Sequence, residues 1–212
     1  SGWTPGYRLV YHAGNSGMES ASKLLSLREM IARYVMPGTL LHLAGGIGGP
    51  SAATCEIIRR FHGSNPGFSL VQSTITGHSI SLFHEKLVSK AVFAASADIS
   101  TLGRPSRIMQ QAWEKKDITL ENWSLGSLQQ RLVAGALGIP FLPTRSVTGS
   151  SLADYNHGDF CELDDPFSNG KTGVVAALNP DVSIVHGCLA DEYGNTVTAV
   201  PYGEDVWGPL AA

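Results

Sequence analysis

A short apolar run, Leu40 to Ala44, passes straight into Gly45-Gly46-Ile47-Gly48-Gly49-Pro50. An apolar run of that length without polar alternation suits a strand buried on both faces, the habit of parallel sheets. Glycine reaches backbone conformations barred to other residues, so the chain can turn tightly here. Pro50 then suits the first turn of a following helix. The turn lets backbone approach a ligand and can aim successive N–H groups at an anion or a developing oxyanion; equally, it can do no more than join strand to helix. It is not a dinucleotide fingerprint, because Gly46, Gly48 and Ser51 fill the G-x-G-x-x-G places, and Gly-Lys-Ser/Thr of a Walker loop is missing.

Alternation on either side of the turn extends the pattern. Ser26 with Glu29 three residues on forms a capping-box signature, and Leu27, Met30, Ile31, Tyr34 and Val35 recur at helical spacing. Helices are expected at about 51–62, 80–88, around Ile108 to Trp113, and from Leu125 to Ala136. Strands are expected at 68–72, 91–95, 117–121, from Phe141, and at 174–178, 182–186 and 196–200. Residues 146–170 are rich in Ser, Gly, Asp and Asn and read as a long surface excursion. No closing helix is expected after Pro201. Residues 1–23 lack a sustained period, and Ser1-Gly2 reads as a remnant of expression.

Such alternation implies an α/β fold with a parallel sheet covered on both faces and right-handed crossovers. Ligands then gather at loops beyond the carboxyl ends of the strands. The Gly45 turn belongs there, and so does the polar stretch Ser73-Thr74-Ile75-Thr76-Gly77-His78.

Composition narrows the partners. A formal charge of -3 with scattered Lys and Arg offers no footprint for nucleic acid or an anionic membrane. No apolar run reaches the roughly 20 residues needed to span a bilayer. Cys55, Cys161 and Cys188 are far apart and odd in number, which suggests neither a disulfide framework nor a metal site and fits a reducing cytoplasm. Cys55 lies on an apolar helix face and reads as core. The histidines lack metal-ligand spacing, so no metal is expected. His78 offers an acid or base without an evident acidic partner. Glu121, after a strand, is the in-chain carboxylate best placed for chemistry, or else a salt-bridged strand end. His186, Asp191 and Asn195, on a strand exit and the turn that follows it, read as a structural network.

Two separated stretches carry a resemblance: Gly135-Ala136-Leu137-Gly138-Ile139-Pro140-Phe141-Leu142-Pro143-Thr144 and the segment from Asp181 to Asn195. With the Ser-Leu-Arg-Glu-Met helix, Pro37-Gly38 and the Gly45-Gly46 turn, they make residues 24–212 resemble the alpha-type subunit of class I CoA-transferases, nearest the glutaconate CoA-transferase branch. The resemblance implies a three-layer α/β/α open sheet, mostly parallel, and a beta-type partner subunit. It also implies acyl-CoA and a carboxylic acid as substrates, with no permanently bound cofactor. The partner's glutamate is expected to attack the thioester, while this chain supplies the oxyanion loop and part of the acyl pocket. Gly45, Gly46 and Ile47 are the expected backbone donors, and Ser73, Thr74, Gly77 and His78 the expected substrate contacts.

No Ser-Glu-Asn-Gly sequence occurs, so that glutamate belongs to the partner. A ring-cleaving hydrolase branch carries Asp-Glu-Gly-Met where this chain reads Ser124-Leu125-Gly126-Ser127, which counts against that chemistry. A decarboxylase using a partner cysteine stays open, as does a non-catalytic scaffold. Related chains continue into a closing strand and helix, so the C-terminal end of the domain is expected to be missing.

Overall fold

The structure, a computed structural model, describes residues 22–45, 49–97, 106–198 and 203–212, with the side chains of 203–205 set aside. Gly46, Ile47 and the expected N-terminal segment up to residue 21 lie outside the described residues. In chain order the first elements are α1 (Leu27–Tyr34), β1 (Leu40–Leu43), α2 (Ser51–Phe61), β2 (Phe68–Ile75), α3 (His78–His84), β3 (Val88–Ser96), α4 (Arg107–Lys115), β4 (Thr119–Asn122) and α5 (Leu125–Ala136). They are followed by β5 (Phe141–Thr144), α6 (Ser151–Tyr155), β6 (Phe160–Asp164), β7 (Lys171–Ala176), β8 (Val182–Ile184), β9 (Leu189–Ala190), β10 (Thr196–Val197) and α7 (Gly203–Ala211).

Local signals account for most boundaries. Ser26 caps α1, and the capping box with Glu29 closes in both directions. Ser106 and Ser124 cap α4 and α5 by accepting from the backbone N–H of Met109 and Ser127. Val88, expected at the end of a helix, opens β3 instead. Lys86 adopts φ of 58° and ends the preceding turn, so the chain turns into the strand earlier than the helical spacing implied.

Five strands form one parallel sheet in the order β4-β3-β2-β1-β8. Leu41, Leu70 and Ala91 face α1 to α4, where Ile31, Ile57, Leu82 and Met109 complete one core. Val71 and Val92 face the other way, against Leu128 and Leu132 of α5, Ala211 of α7, and Phe160 and Val175 of a second sheet. The three layers are therefore a helical layer, the parallel sheet, and a mixed layer. That last layer corrects two expectations. Residues 146–170 contain α6 and β6, and β6 joins an antiparallel sheet β5-β7-β6. A closing helix is also present: α7 packs on α5, and Asn179 Nδ2 donates to Ala211 O at 3.0 Å. The packing is close enough that a Cβ on Gly135 would stand 2.5 Å from Leu178 O and 3.1 Å from the Ala211 Cβ.

The parallel order brings β8 beside β1 across most of the chain's length. Leu40 N–H donates to the Asp181 carboxylate at 2.7 Å, and Ala44 N–H donates to Ile184 O at 3.0 Å. These bonds tie both ends of β1 to β8, and hence hold the start of the glycine turn at the sheet's carboxyl edge.

Candidate functional site

Gly45 opens the turn with φ of 76°, a left-handed conformation that a Cβ would strain. Its carbonyl accepts from Gln72 Nε2 at 2.9 Å. Gln72 is 1% exposed on β2, and its Oε1 has no partner among the described residues. Two hydroxyls nearby along the chain are in the same condition: Ser73 Oγ and Thr76 Oγ1 are buried and unpartnered among those residues. A buried polar atom without a partner costs roughly 1–3 kcal/mol. Three such atoms fall within five residues at the carboxyl end of β2, with Gln72 and Ser73 on opposite faces of the strand.

Of the residues anticipated as substrate contacts, Ser73 and Thr74 lie at the end of β2, Gly77 is the N-cap of α3 with φ of 55°, and His78 is the exposed first residue of that helix. The fold brings them to the same edge as Gly45. Gln72 carries the closest tie to the turn, and the sequence shows it only as part of the strand run Phe68 to Gln72.

Glu121 stands in a different setting. Its carboxylate takes Lys90 Nζ at 2.6 Å and Trp123 Nε1 at 2.8 Å, and it pairs with Arg131. Arg131 also donates through Nε to Ala176 O at 3.0 Å, pairs with Asp159 at 3.2 Å, and lies 4.6 Å from the centre of the Trp123 ring. Burial pushes the Glu121 carboxyl up. Hydrogen bonds from Lys90 and Trp123, with the charges of Arg131 and Lys90, outweigh that and hold it below its ordinary value of 4.5.

No spacing in the sequence singles out His42. It lies on β1, fully buried, with Nδ1 at 2.7 Å from Ser183 Oγ on β8 and Nε2 unpartnered among the described residues. Burial lowers its pKa from 6.5 to about 4, so it is neutral near pH 7. Gly208 of α7 lies so close to the ring that any Cβ there would collide with it.

In the hairpin of β9 and β10, the Asp191 carboxylate accepts from Asn195 Nδ2 at 2.7 Å and from the N–H groups of Tyr193 and Asn195. Asp191 and Asn195 thus stabilise the turn, and the exposed His186 makes none of these bonds. Cys55 is half-buried on α2, and all three cysteines are free. Among the described residues no group of His, Cys, Asp and Glu could hold a metal ion, and no helix is long and apolar enough to cross a membrane.

The chain is similar in sequence and fold to known proteins. The chain is 28% identical over 192 residues to a subunit of the 3-oxoadipate CoA-transferase of Pseudomonas knackmussii, covering 89% of this chain and 64% of that protein. It is 28% identical over 195 residues to a subunit of the glutaconate CoA-transferase of Acidaminococcus fermentans, covering 82% of this chain and 58% of that one. The chain therefore spans less than two thirds of either relative. The crystal structure of the Acidaminococcus fermentans enzyme superposes with a TM-score of 0.80 at 27% identity, over 90% of this chain and 64% of that one. A variant of the decarboxylase AibA/AibB superposes with a TM-score of 0.74 at 25% identity, over 88% of this chain and 70% of that one. The model of the coenzyme A transferase family matches residues 24–208, and the chain belongs to that family.

Proposed function

We propose that this chain is the alpha-type half of a class I CoA-transferase, moving CoA between an acyl-CoA and a carboxylic acid. The observation that carries the reading is the set of buried groups on Gln72, Ser73 and Thr76, unpartnered among the described residues, beside the left-handed Gly45 turn. They lie at the carboxyl edge of a parallel sheet, where α/β folds bind ligands. The in-chain carboxylate that the sequence offers for chemistry, Glu121, is already engaged by Lys90, Trp123 and Arg131. The attacking group is accordingly assigned to a beta-type partner.

In this mechanism a partner carboxylate oxygen attacks the thioester carbonyl carbon, the C–S bond breaks, and CoA leaves as thiolate with an acyl anhydride left behind. The thiolate then attacks the partner's carbonyl and releases the acyl group as free acid. Return through the second acid regenerates the carboxylate. Each attack places negative charge on a carbonyl oxygen. Backbone N–H groups of the turn, with Gly45, Gly46 and Ile47 the proposed donors, hold that charge; such donors contribute roughly 3–4 kcal/mol each in known cases. Gln72 fixes the turn through the Gly45 carbonyl, and Ser73, Thr74, Gly77 and His78 contact the acyl or acid group.

The chain alone is expected to give no exchange between an acyl-CoA and a free acid, and the beta-type partner, once added, to restore it. Robust exchange by the homogeneous chain alone would overturn this division of labour. The likeness to a decarboxylase supports a second reading, in which the same edge serves a CoA-thioester decarboxylase. Release of carbon dioxide in place of acyl exchange identifies that case.

A further inference from the structure

A cleft of about 440 Å³ opens between α4 and the sheet, on the helical side where Phe93, Met109 and Leu120 belong to the core. Its volume falls within the roughly 300–1,000 Å³ of small-molecule sites. Phe93, Ser96, Met109, Trp113 and Leu120 form its walls, with the exposed Glu114 among them.

The cleft is tied to the Gly45 turn by the sheet itself. Gln72, which holds the Gly45 carbonyl, is the register partner of Phe93 on the neighbouring strand. Register partners in a parallel pair share a face of the sheet, so the amide that anchors the turn and the ring that lines the cleft are side by side. β1 and β3 flank β2, which sets the two features about 10 Å apart across the sheet at roughly 4.8 Å per strand.

Two further features point to an occupant. Trp113 is 64% exposed, although α4 buries Met109 and Ala112 beside it. A large aromatic left open at the mouth of an apolar cleft is a surface for an apolar ligand. The charged group among the described residues lining the cleft is Glu114, whose Oε1 takes Gln110 Nε2 at 3.1 Å. A second carboxylate on the acyl group would meet that negative charge and, among the described residues lining the cleft, no cation. The relatives are named for 3-oxoadipate and glutaconate, both dicarboxylates.

From these observations, and resting on the transferase reading, we infer that the α4 cleft takes the apolar tail of a monocarboxylic, medium-chain acyl group whose thioester sits at the Gly45 turn. Each added methylene that enters the cleft raises kcat/KM roughly fourfold, and the series stops rising when the cleft is full.

The test uses the chain assembled with its beta-type partner and offers butyryl-, hexanoyl-, octanoyl- and glutaryl-CoA as donors. Hexanoyl-CoA is expected to exceed butyryl-CoA by about tenfold or more and to exceed glutaryl-CoA. Trp113→Ala flattens the dependence on chain length. Glu114→Lys, at an exposed position that does not threaten folding, raises the glutaryl-to-hexanoyl ratio by about tenfold. Preference of the unmodified enzyme for glutaryl-CoA, or an unchanged chain-length slope in Trp113→Ala, overturns the inference while transfer itself stands. Absence of transfer from every donor overturns the transferase reading. The cleft is then judged by titrating the chain with hexanoyl-CoA and following tryptophan fluorescence, comparing Trp113→Phe. A saturable change lost in the variant supports the cleft, and no change overturns it.

Discussion

Two buried polar clusters share one sheet and are built on opposite plans. Around Glu121, Arg131 and Trp123, charges meet opposite charges, and the indole N–H and a backbone carbonyl take up further bonds. Around Gln72, Ser73 and Thr76, one amide N–H is used and three oxygen atoms are left without partners among the described residues. A saturated cluster has nothing left to offer a ligand and contributes to holding the mixed layer on the sheet. An unsaturated one is a standing cost that a ligand's hydrogen bonds can offset. The two clusters thus differ in how many partners their polar atoms find among the described residues.

Breaking the saturated cluster should give the largest effect. Arg131→Met leaves Glu121 and Asp159 short of their counter-charge, and a loss of roughly 3–5 kcal/mol is expected in urea unfolding. A loss below about 1 kcal/mol would remove the contrast between the two clusters.

His42 stands between the two plans, with one ring nitrogen bonded and the other without a partner among the described residues. Its folded pKa lies below its unfolded value, at about 4 against 6.5. The unfolded chain therefore binds the proton first as pH falls, and stability is fully present above 6.5 and declines toward 4. The expected decline is about 3 kcal/mol. It should shrink in His42→Asn when unfolding is followed at about pH 7 and about pH 4.5. Glu121 acts lower on the scale: its depressed pKa supplies stability above 4.5 that is lost as pH falls through the folded value.

Gln72→Leu tests the anchor of the turn. Loss of its bond to Gly45 is expected to cost about 1 kcal/mol in stability, with a larger loss in acyl exchange by the assembled enzyme. Equal, small losses in both would make Gln72 a packing residue. The smallest effect belongs to Ser73→Ala and Thr76→Val. Their hydroxyls bond to nothing described, so unfolding should change by no more than about 0.5 kcal/mol, while the KM for the acyl donor rises. A large drop in stability would show that these hydroxyls are internally bonded after all.

Much of the fold is legible in the sequence. The capping box at Ser26 and Glu29, the strand before Gly45, the helix after Pro50 and the repeated α/β alternation all recur in the structure. These features are local: a cap, a turn or an amphipathic face is written within a few residues. Of the candidate site, the glycine turn and the polar end of β2 are readable because glycines and hydroxyls at a strand exit are unusual. Gln72 reads only as part of a strand, and His42 is hidden in an apolar run. Trp113 has the spacing of one more residue on an apolar helix face, yet it is largely exposed at the cleft.

The sequence by itself determined the alternation of helices and strands from α1 to β5 and where the chain turns between them, because those choices rest on spacing and on backbone preferences of neighbouring residues. The tertiary structure alone decided the partners. It set β8 beside β1, folded residues 146–170 into a second sheet, and docked α7, with Pro209 inside it, against α5 and His42. Proline weakens a helix by about 3 kcal/mol, so no local rule places a helix there; burial of Ala211 and close packing on Gly135 do. It also decided that Glu121 is saturated while the polar end of β2 keeps oxygen atoms without partners among the described residues. Burial without a partner is a property of the assembled surroundings, and no single segment encodes it.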